Sequence, residues 1–247
     1  MTKVKGRVAV VGLGPGDLDY MIPAVYKAIQ GAEVVIGYKT YIDLIKPLLE
    51  GKQVINNGMR KEIERCQLAV EMAEEGKNVV LVSSGDPGIY GMAGALLEVK
   101  EEKNSEIDVE ILPGITAVSG AAASLGAPLM HDFVVISLSD LLTEWEVIKK
   151  RLYHAAAGDF VVALYNPKSM GRTTQIQEAV EILLRHRNEE TPVGIVKNAK
   201  RHGEKVVVTT LGKMLKEEID MTTVVIIGNS NTYIKNGKII TPRGYSL

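Results

Sequence analysis

The sequence predicts an α/β protein made of two α/β domains, and three observations predict it. Through the first half, short β-branched runs alternate with helix-length segments, the pattern of parallel strands joined by crossover helices. The alternation is broken at Gly126-Ala127-Pro128 and restarts at Phe133. The second half closes on Asn236-Gly237 between two apolar triplets, a type I′ hairpin signal that implies a mixed sheet. We therefore expect an N-terminal domain over 1–127 with a mainly parallel sheet and a C-terminal domain over 128–247 with a mixed one. At 247 residues and 46% hydrophobic, the chain is long enough for both cores.

In order, Arg7–Val11 reads as a strand and Met21–Gln30 as a helix that tolerates Pro23 in its first turn. Glu33–Gly37 is a strand, Tyr41–Leu49 a weak helix interrupted by Pro47, and Gln53–Ile55 a short strand. Met59–Gly76 is the clearest helix, with Ile63, Cys66, Val70 and Ala73 on one face and Gly76 placed as its terminating glycine. Asn78–Val82 is a strand of the kind buried on both faces, Met92–Lys103 a helix, and Val109–Leu112 a strand. Ala117–Leu125, with four alanines and a glycine, predicts a closely packed interior helix. Phe133–Ser137 then begins the second set. It continues with helix Glu144–Ala155, capped by Asp140 or Thr143, strand Phe160–Tyr165, helix Thr174–His186 and strands Val193–Lys197 and Lys205–Thr209. A short helix, Leu211–Glu218, and a strand, Thr223–Ile227, precede the hairpin.

Composition excludes several functions. A net charge of -1 offers no electrostatic footprint for nucleic acid. The single cysteine, Cys66, rules out an intramolecular disulfide and an all-cysteine metal or iron–sulfur site within this chain; a small core residue is the expectation. No apolar stretch approaches the length of a membrane span, and the basic start Met1–Arg7 lacks the apolar run of a secretory signal, so a cytoplasmic protein is expected. His131, His154, His186 and His202 are scattered without metal-ligand spacing, and no metal site is expected; His131 alone lies near the expected domain join.

Three glycine-rich breaks fall at the carboxyl ends of first-half strands: Gly12–Asp17, Ser83–Gly91 and Pro113–Ala117. Ligands of open α/β sheets bind at such ends. The first loop, Gly-Leu-Gly-Pro-Gly-Asp, nearly matches a dinucleotide fingerprint, but Asp17 takes the place of its third glycine and Pro15 has no N–H to give. That loop suits a cationic or neutral ligand rather than a phosphate. Asp86, between Gly85 and Pro87, could accept from ribose hydroxyls or pair with an ammonium, or could serve local N–H groups as a turn residue. Thr116 has the same two readings, at a ligand edge or as a helix cap.

Gly-Leu-Gly-Pro-Gly-Asp, Ser-Ser-Gly-Asp-Pro-Gly-Ile-Tyr-Gly and Pro-Gly-Ile-Thr-Ala, in this order and spacing, resemble the tetrapyrrole (corrin/porphyrin) methylase family, and the resemblance covers essentially the whole chain. Other stretches, among them Asn57–Glu62, Ser137–Leu142, Leu164–Pro167, Val193–Ala199, Asp220–Ser230 and Thr241–Tyr245, resemble the branch that methylates carbon 17 of precorrin-3B or cobalt-factor III in cobalamin biosynthesis. The resemblance implies a methyltransferase that uses S-adenosylmethionine, acts as a homodimer and has its active site in the cleft between the two domains. It implies cofactor contacts at Gly85, Asp86, Ile89, Thr116 and Ala117, and at Leu164, Tyr165, Asn198, Ala199, Thr222 and Thr223. Gly14, Pro15 and Gly16 are then expected beside the macrocycle.

The implied substrate is a tetrapyrrole with carboxylate arms. Arg60, Lys61 and Arg65 could meet those arms, or could form a solvated helix face; Lys168, Arg172, Lys197 and Arg201 are weaker candidates. Methyl transfer asks chiefly for positioning and exclusion of water, whereas the implied ring contraction would benefit from a general base. Asp17 is the candidate base, against the alternative of a helix-start carboxylate. A methylase of another ring position, a non-catalytic corrinoid carrier and a protein methylase of the diphthine synthase kind remain alternatives. Some members of this branch resemble a longer design with a redox domain, which here would have to be a separate partner.

Overall fold

The computed structural model describes residues 5–58 and 61–246. The chain divides into two compact units, Met1–Ala117 and Val118–Leu247, so the division falls upstream of the expected join near Pro128.

The first unit runs β1 (Arg7–Gly12), α1 (Pro23–Gly31), β2 (Val34–Tyr38), α2 (Lys39–Leu44), β3 (Gln53–Asn57), α3 (Glu62–Glu74), β4 (Asn78–Ser83), α4 (Ala93–Glu102) and β5 (Asp108–Leu112). Its five strands form one sheet in the order β3-β2-β4-β1-β5, and every pairing is parallel. The β-branched runs bury both faces, as parallel central strands must. Val8, Val10, Val34, Ile36, Val79 and Leu81 pack on α3 and α4. The alternate residues Ala9, Val11, Val35, Val80 and Val82 pack on Val25, Ile29 and Ile42 of α1 and α2.

Helix α3 starts at Glu62, later than the Met59 expected; Met59 and Arg60 lie outside the described residues. Its buried stripe is Cys66, Ala69, Val70 and Ala73, while Ile63 is 50% exposed, so the expected face was right in three positions of four. Burial pushes the Cys66 thiol up to about 12, making it an inert core residue. Gly76, at φ +98, ends the helix as expected. The N–H groups of Gly76 and Lys77 donate to the carbonyls of Ala73 and Met72 at 2.9 and 3.1 Å, a Schellman closure.

The second unit comprises α5 (Ala117–Leu125, whose first residue falls in the first unit), β6 (Gly126–Ala127), β7 (Phe133–Ser137), α6 (Trp145–Ala157), β8 (Val161–Tyr165), α7 (Gln175–Leu184), β9 (Pro192–Lys197), β10 (Lys205–Thr210), β11 (Thr223–Ile227), β12 (Tyr233–Lys235) and β13 (Lys238–Ile240). The main sheet has the order β10-β9-β11-β8-β7. Only β7–β8 is parallel; the other three pairings are antiparallel, which is the mixed sheet expected. One face buries Ile136, Val162, Leu164, Ile195 and Val225 against α6 and α7. On the other face Gly194 is needed, because a Cβ there would run into the Leu125 side chain of α5.

Several local expectations fail. Helix α6 has Glu144 at its N-cap with no side-chain bond, because Asp140 instead accepts from Gln175 Nε2 at 2.8 Å. Leu211–Glu218 shrinks to a 3₁₀ turn at Met214–Lys216, and Tyr41–Leu49 becomes α2 followed by a 3₁₀ turn at Lys46–Leu48. The hairpin holds, with Asn236 and Gly237 at φ +51 and +72. Its strand β13 also pairs with β6, a two-residue strand too short to show any periodicity.

Candidate functional site

In the first unit, β4, β1 and β5 are parallel neighbours, so the three glycine loops leave the sheet side by side. They also pair with one another. Leu13 N–H donates to the Ser83 carbonyl at 2.9 Å, and Gly14 and Gly85 exchange N–H···O bonds of 3.1 and 2.8 Å, both at positive φ. A Cβ on Gly12 would stand 2.7 Å from Gly114 N, and one on Gly114 would stand 2.6 Å from Gly12 O. Only glycine permits that approach. The remaining open side of Gly85 faces the next loop: a Cβ there would lie 3.7 Å from Thr116 Cα and from Ala117 N. Gly85, Thr116 and Ala117 are thus brought together.

Asp86 sits within this cluster and is occupied with it. Its Oδ1 accepts from Gly88 N–H at 2.8 Å and its Oδ2 from Gly114 N–H at 3.1 Å, so the carboxylate ties the β4 loop to the β5 loop. Of its two sequence readings, the local one is visible. Ile89 and Tyr90 follow, both exposed. Gly14 and Pro15 are buried, and Gly16 is half-buried at φ +130. Asp17 is exposed and caps the 3₁₀ turn Leu18–Tyr20 by accepting from Asp19 N–H at 3.0 Å.

In the second unit, strand directions place the ends of β7, β8 and β9 on the sheet edge where β11 begins. Leu164-Tyr165, Asn198-Ala199 and Thr222-Thr223 therefore share one edge. Tyr165 Oη accepts from Val118 N–H at 2.6 Å, capping the first turn of α5. Asn198, at φ +51, continues the β9–β11 ladder by donating its N–H to the Thr222 carbonyl at 3.1 Å. Beneath this turn Lys197 Nζ meets Glu218 Oε1 at 2.6 Å and Asp220 Oδ2 at 2.7 Å. Hydrogen bonds to Asp220 and then Glu218 raise the Lys197 pKa. Partial burial opposes ionisation of Asp220, yet its bonds from Lys197, Thr222 and Thr223 hold it down to about 2. The sequence reading missed Asp220; its signal is an aspartate two and three residues before threonines at a strand start.

The basic residues fare differently from expectation. Arg65 is 3% exposed, and its guanidinium donates to Asn57 Oδ1 at 2.7 Å and the Gly58 carbonyl at 3.0 Å while pairing with Glu62 at 3.2 Å. It ties Asn57 and Gly58, at the end of β3, to α3 and is spent on these partners. Lys61 is exposed and paired with Glu64 at 3.0 Å, and Arg60 lies outside the described residues. Arg172 is buried and donates to the Asn166 carbonyl at 2.9 Å. Among the described residues no group of three or more His, Cys, Asp or Glu side chains is arranged to hold a metal, and no helix is long and apolar enough to cross a membrane.

Comparison with known proteins decides the family. Residues 7–215 match the sequence profile of the Tetrapyrrole (Corrin/Porphyrin) Methylases. The chain belongs to this family. This tetrapyrrole methylase is therefore a methyltransferase. It is 51% identical to a Salmonella typhimurium protein named "Probable cobalt-factor III C(17)-methyltransferase", over 97% of this chain and 100% of that one. It is also 51% identical to the "Cobalt-factor III methyltransferase" of Priestia megaterium, covering 98% of this chain but 46% of that longer protein. The crystal structure of the methyltransferase CobJ superposes with a TM-score of 0.92 at 41% identity, over 96% of this methylase and 100% of that chain.

Proposed function

We propose that this methylase transfers a methyl group from S-adenosylmethionine to carbon 17 of cobalt-factor III or precorrin-3B, with ring contraction, in cobalamin biosynthesis. The observation that carries the reading is the 51% identity with the Salmonella protein along the full length of that chain. Likeness confined to the glycine loops would have supported the superfamily alone.

The residues present suit the cofactor. Segments 84–91 and 113–117 contain no Lys, Arg or His, a donor set that fits a sulfonium and a ribose diol better than a phosphate. S-adenosylmethionine supplies an electrophilic methyl group when bound. Gly85, Asp86, Ile89, Thr116 and Ala117 would hold it from the first unit, and Leu164, Tyr165, Asn198, Ala199, Thr222 and Thr223 from the second. Gly14, Pro15 and Gly16 would border the macrocycle, and Arg60 and Lys61 would meet its carboxylate arms. Asp17 would accept the proton that a macrocycle hydroxyl loses during contraction. Among the described residues only its Oδ1 has a partner. We further propose a cytoplasmic homodimer.

Calorimetry with S-adenosylhomocysteine tests the cofactor, and no binding would sink the reading. Anaerobic turnover of cobalt-factor III against metal-free precorrin-3B, followed by mass and absorbance, tests the substrate. Asp17→Asn should retain cofactor affinity and lose contraction; loss of cofactor binding instead would refute the placement of Asp17.

A further inference from the structure

Asp220 precedes β11 and collects an unusual number of donors on one oxygen. Its Oδ1 accepts from Thr222 N–H at 2.8 Å, Thr222 Oγ1 at 2.9 Å and Thr223 Oγ1 at 3.0 Å. Its own N–H donates to Thr223 Oγ1 at 3.2 Å, and its Oδ2 pairs with Lys197 Nζ at 2.7 Å. Lys197 is in turn held by Glu218 at 2.6 Å. A hydroxyl has one proton and two lone pairs, and an ionised carboxylate can only accept. Both threonine protons are therefore directed at Asp220. Thr223 is buried, and one of its lone pairs is taken by Asp220 N–H. Thr222 is exposed on the sheet edge, so what it offers outward is acceptor capacity alone.

We propose that Asp220 is a positioning residue that locks the Thr222 hydroxyl as an obligate acceptor, so that this edge selects its ligand through an N–H donor. The inference rests on the cofactor reading above and deepens it. S-adenosylmethionine carries two such donors, the exocyclic amine of its adenine and the ammonium of its methionyl end. Lys197 holds Asp220 in place through Oδ2, which leaves Oδ1 to orient the threonines. A site built to receive an N–H rejects an analogue that lacks it, because its acceptor is then left unpaired.

The test is titration calorimetry of the full chain with S-adenosylhomocysteine and two analogues, one with oxygen in place of the adenine 6-amino group and one without the α-amino group. Wild-type protein should bind one of the two analogues about tenfold more weakly than the parent, the scale of one hydrogen bond. Thr222→Val should weaken the parent by the same factor and abolish that discrimination, and Thr222→Ser should keep it. Asp220→Asn, which can donate to Thr222 and release the hydroxyl proton outward, should narrow the discrimination while its far-UV spectrum stays that of folded protein. Equal wild-type affinity for all three ligands, or discrimination surviving in Thr222→Val, overturns the inference and leaves the cofactor reading standing. Absence of S-adenosylhomocysteine binding by wild-type protein overturns both.

Discussion

A carboxylate at a strand end can serve a ligand or the protein around it, and here Asp86 and Asp220 serve the protein around them. Asp86 holds Gly88 and Gly114; Asp220 holds Thr222, Thr223 and Lys197. Asp86→Ala strands two N–H groups and should cost about 1–3 kcal/mol, readable by denaturant unfolding. Gly114→Ala should cost more, about 2–4 kcal/mol, because its Cβ would meet the backbone oxygens of Gly12 and Gly85, and backbone cannot swing aside. Asp220 adds a pH signature. Its pKa is depressed in the folded state, so its contribution is present above the ordinary carboxylate range and is lost as pH falls toward about 2. Wild-type protein should therefore unfold at a higher temperature than Asp220→Asn near neutrality, and the gap should shrink between about pH 4 and pH 2. A gap independent of pH would show that the carboxylate's charge is not what stabilises the turn.

At the scale of elements, the sheets owe their order to long-range packing, while their connections owe theirs to single side chains. Arg187 is an example. Its guanidinium donates to the Ala156 carbonyl at 2.8 Å and the Phe160 carbonyl at 3.1 Å and pairs with Asp159 at 2.9 Å, joining the end of α6 to the start of β8. Asp159 in turn accepts from Ser230. Arg187→Ala leaves the Ala156 and Phe160 carbonyls without their donor and the half-exposed Asp159 with only Ser230, and should cost about 1–3 kcal/mol; a change within measurement error would contradict this role. Nothing in the sequence marks Arg187, since its partners, two carbonyls and the Asp159 carboxylate, are distant along the chain. The strands were legible for the opposite reason. Val79–Val82 and Val224–Ile227 bury both faces, and such runs are continuous in sequence. Short or distorted elements were not legible. The 3₁₀ turn at Met214–Lys216 and the two-residue β6 depend on what lies across from them, as does the late start of α3. Of the candidate site, the three glycine loops could be read from the sequence because close backbone approach demands glycine. The buried engagement of Arg65 could not, because a basic residue at a helix start reads the same whether it faces solvent or its own loop.

At the scale of the whole molecule, each unit gathers its candidate residues at one sheet edge, the first around Gly85 and Thr116, the second around Tyr165, Asn198 and Thr222. The first has no lysine, arginine or histidine in segments 84–91 and 113–117, the second holds Lys197 in ion pairs with Glu218 and Asp220, and each has a carboxylate at its centre. Anchored acceptors of this kind suit the cationic methyl donor proposed above. The measurement that tests this most directly is anaerobic incubation of the full chain with cobalt-factor III and S-adenosylmethionine labelled with carbon-13 in its methyl group, with the product read by mass spectrometry and carbon NMR. The account predicts a single labelled methyl on carbon 17 of a ring-contracted product. Label at another ring carbon, or unlabelled macrocycle recovered from protein that binds both ligands, would contradict it.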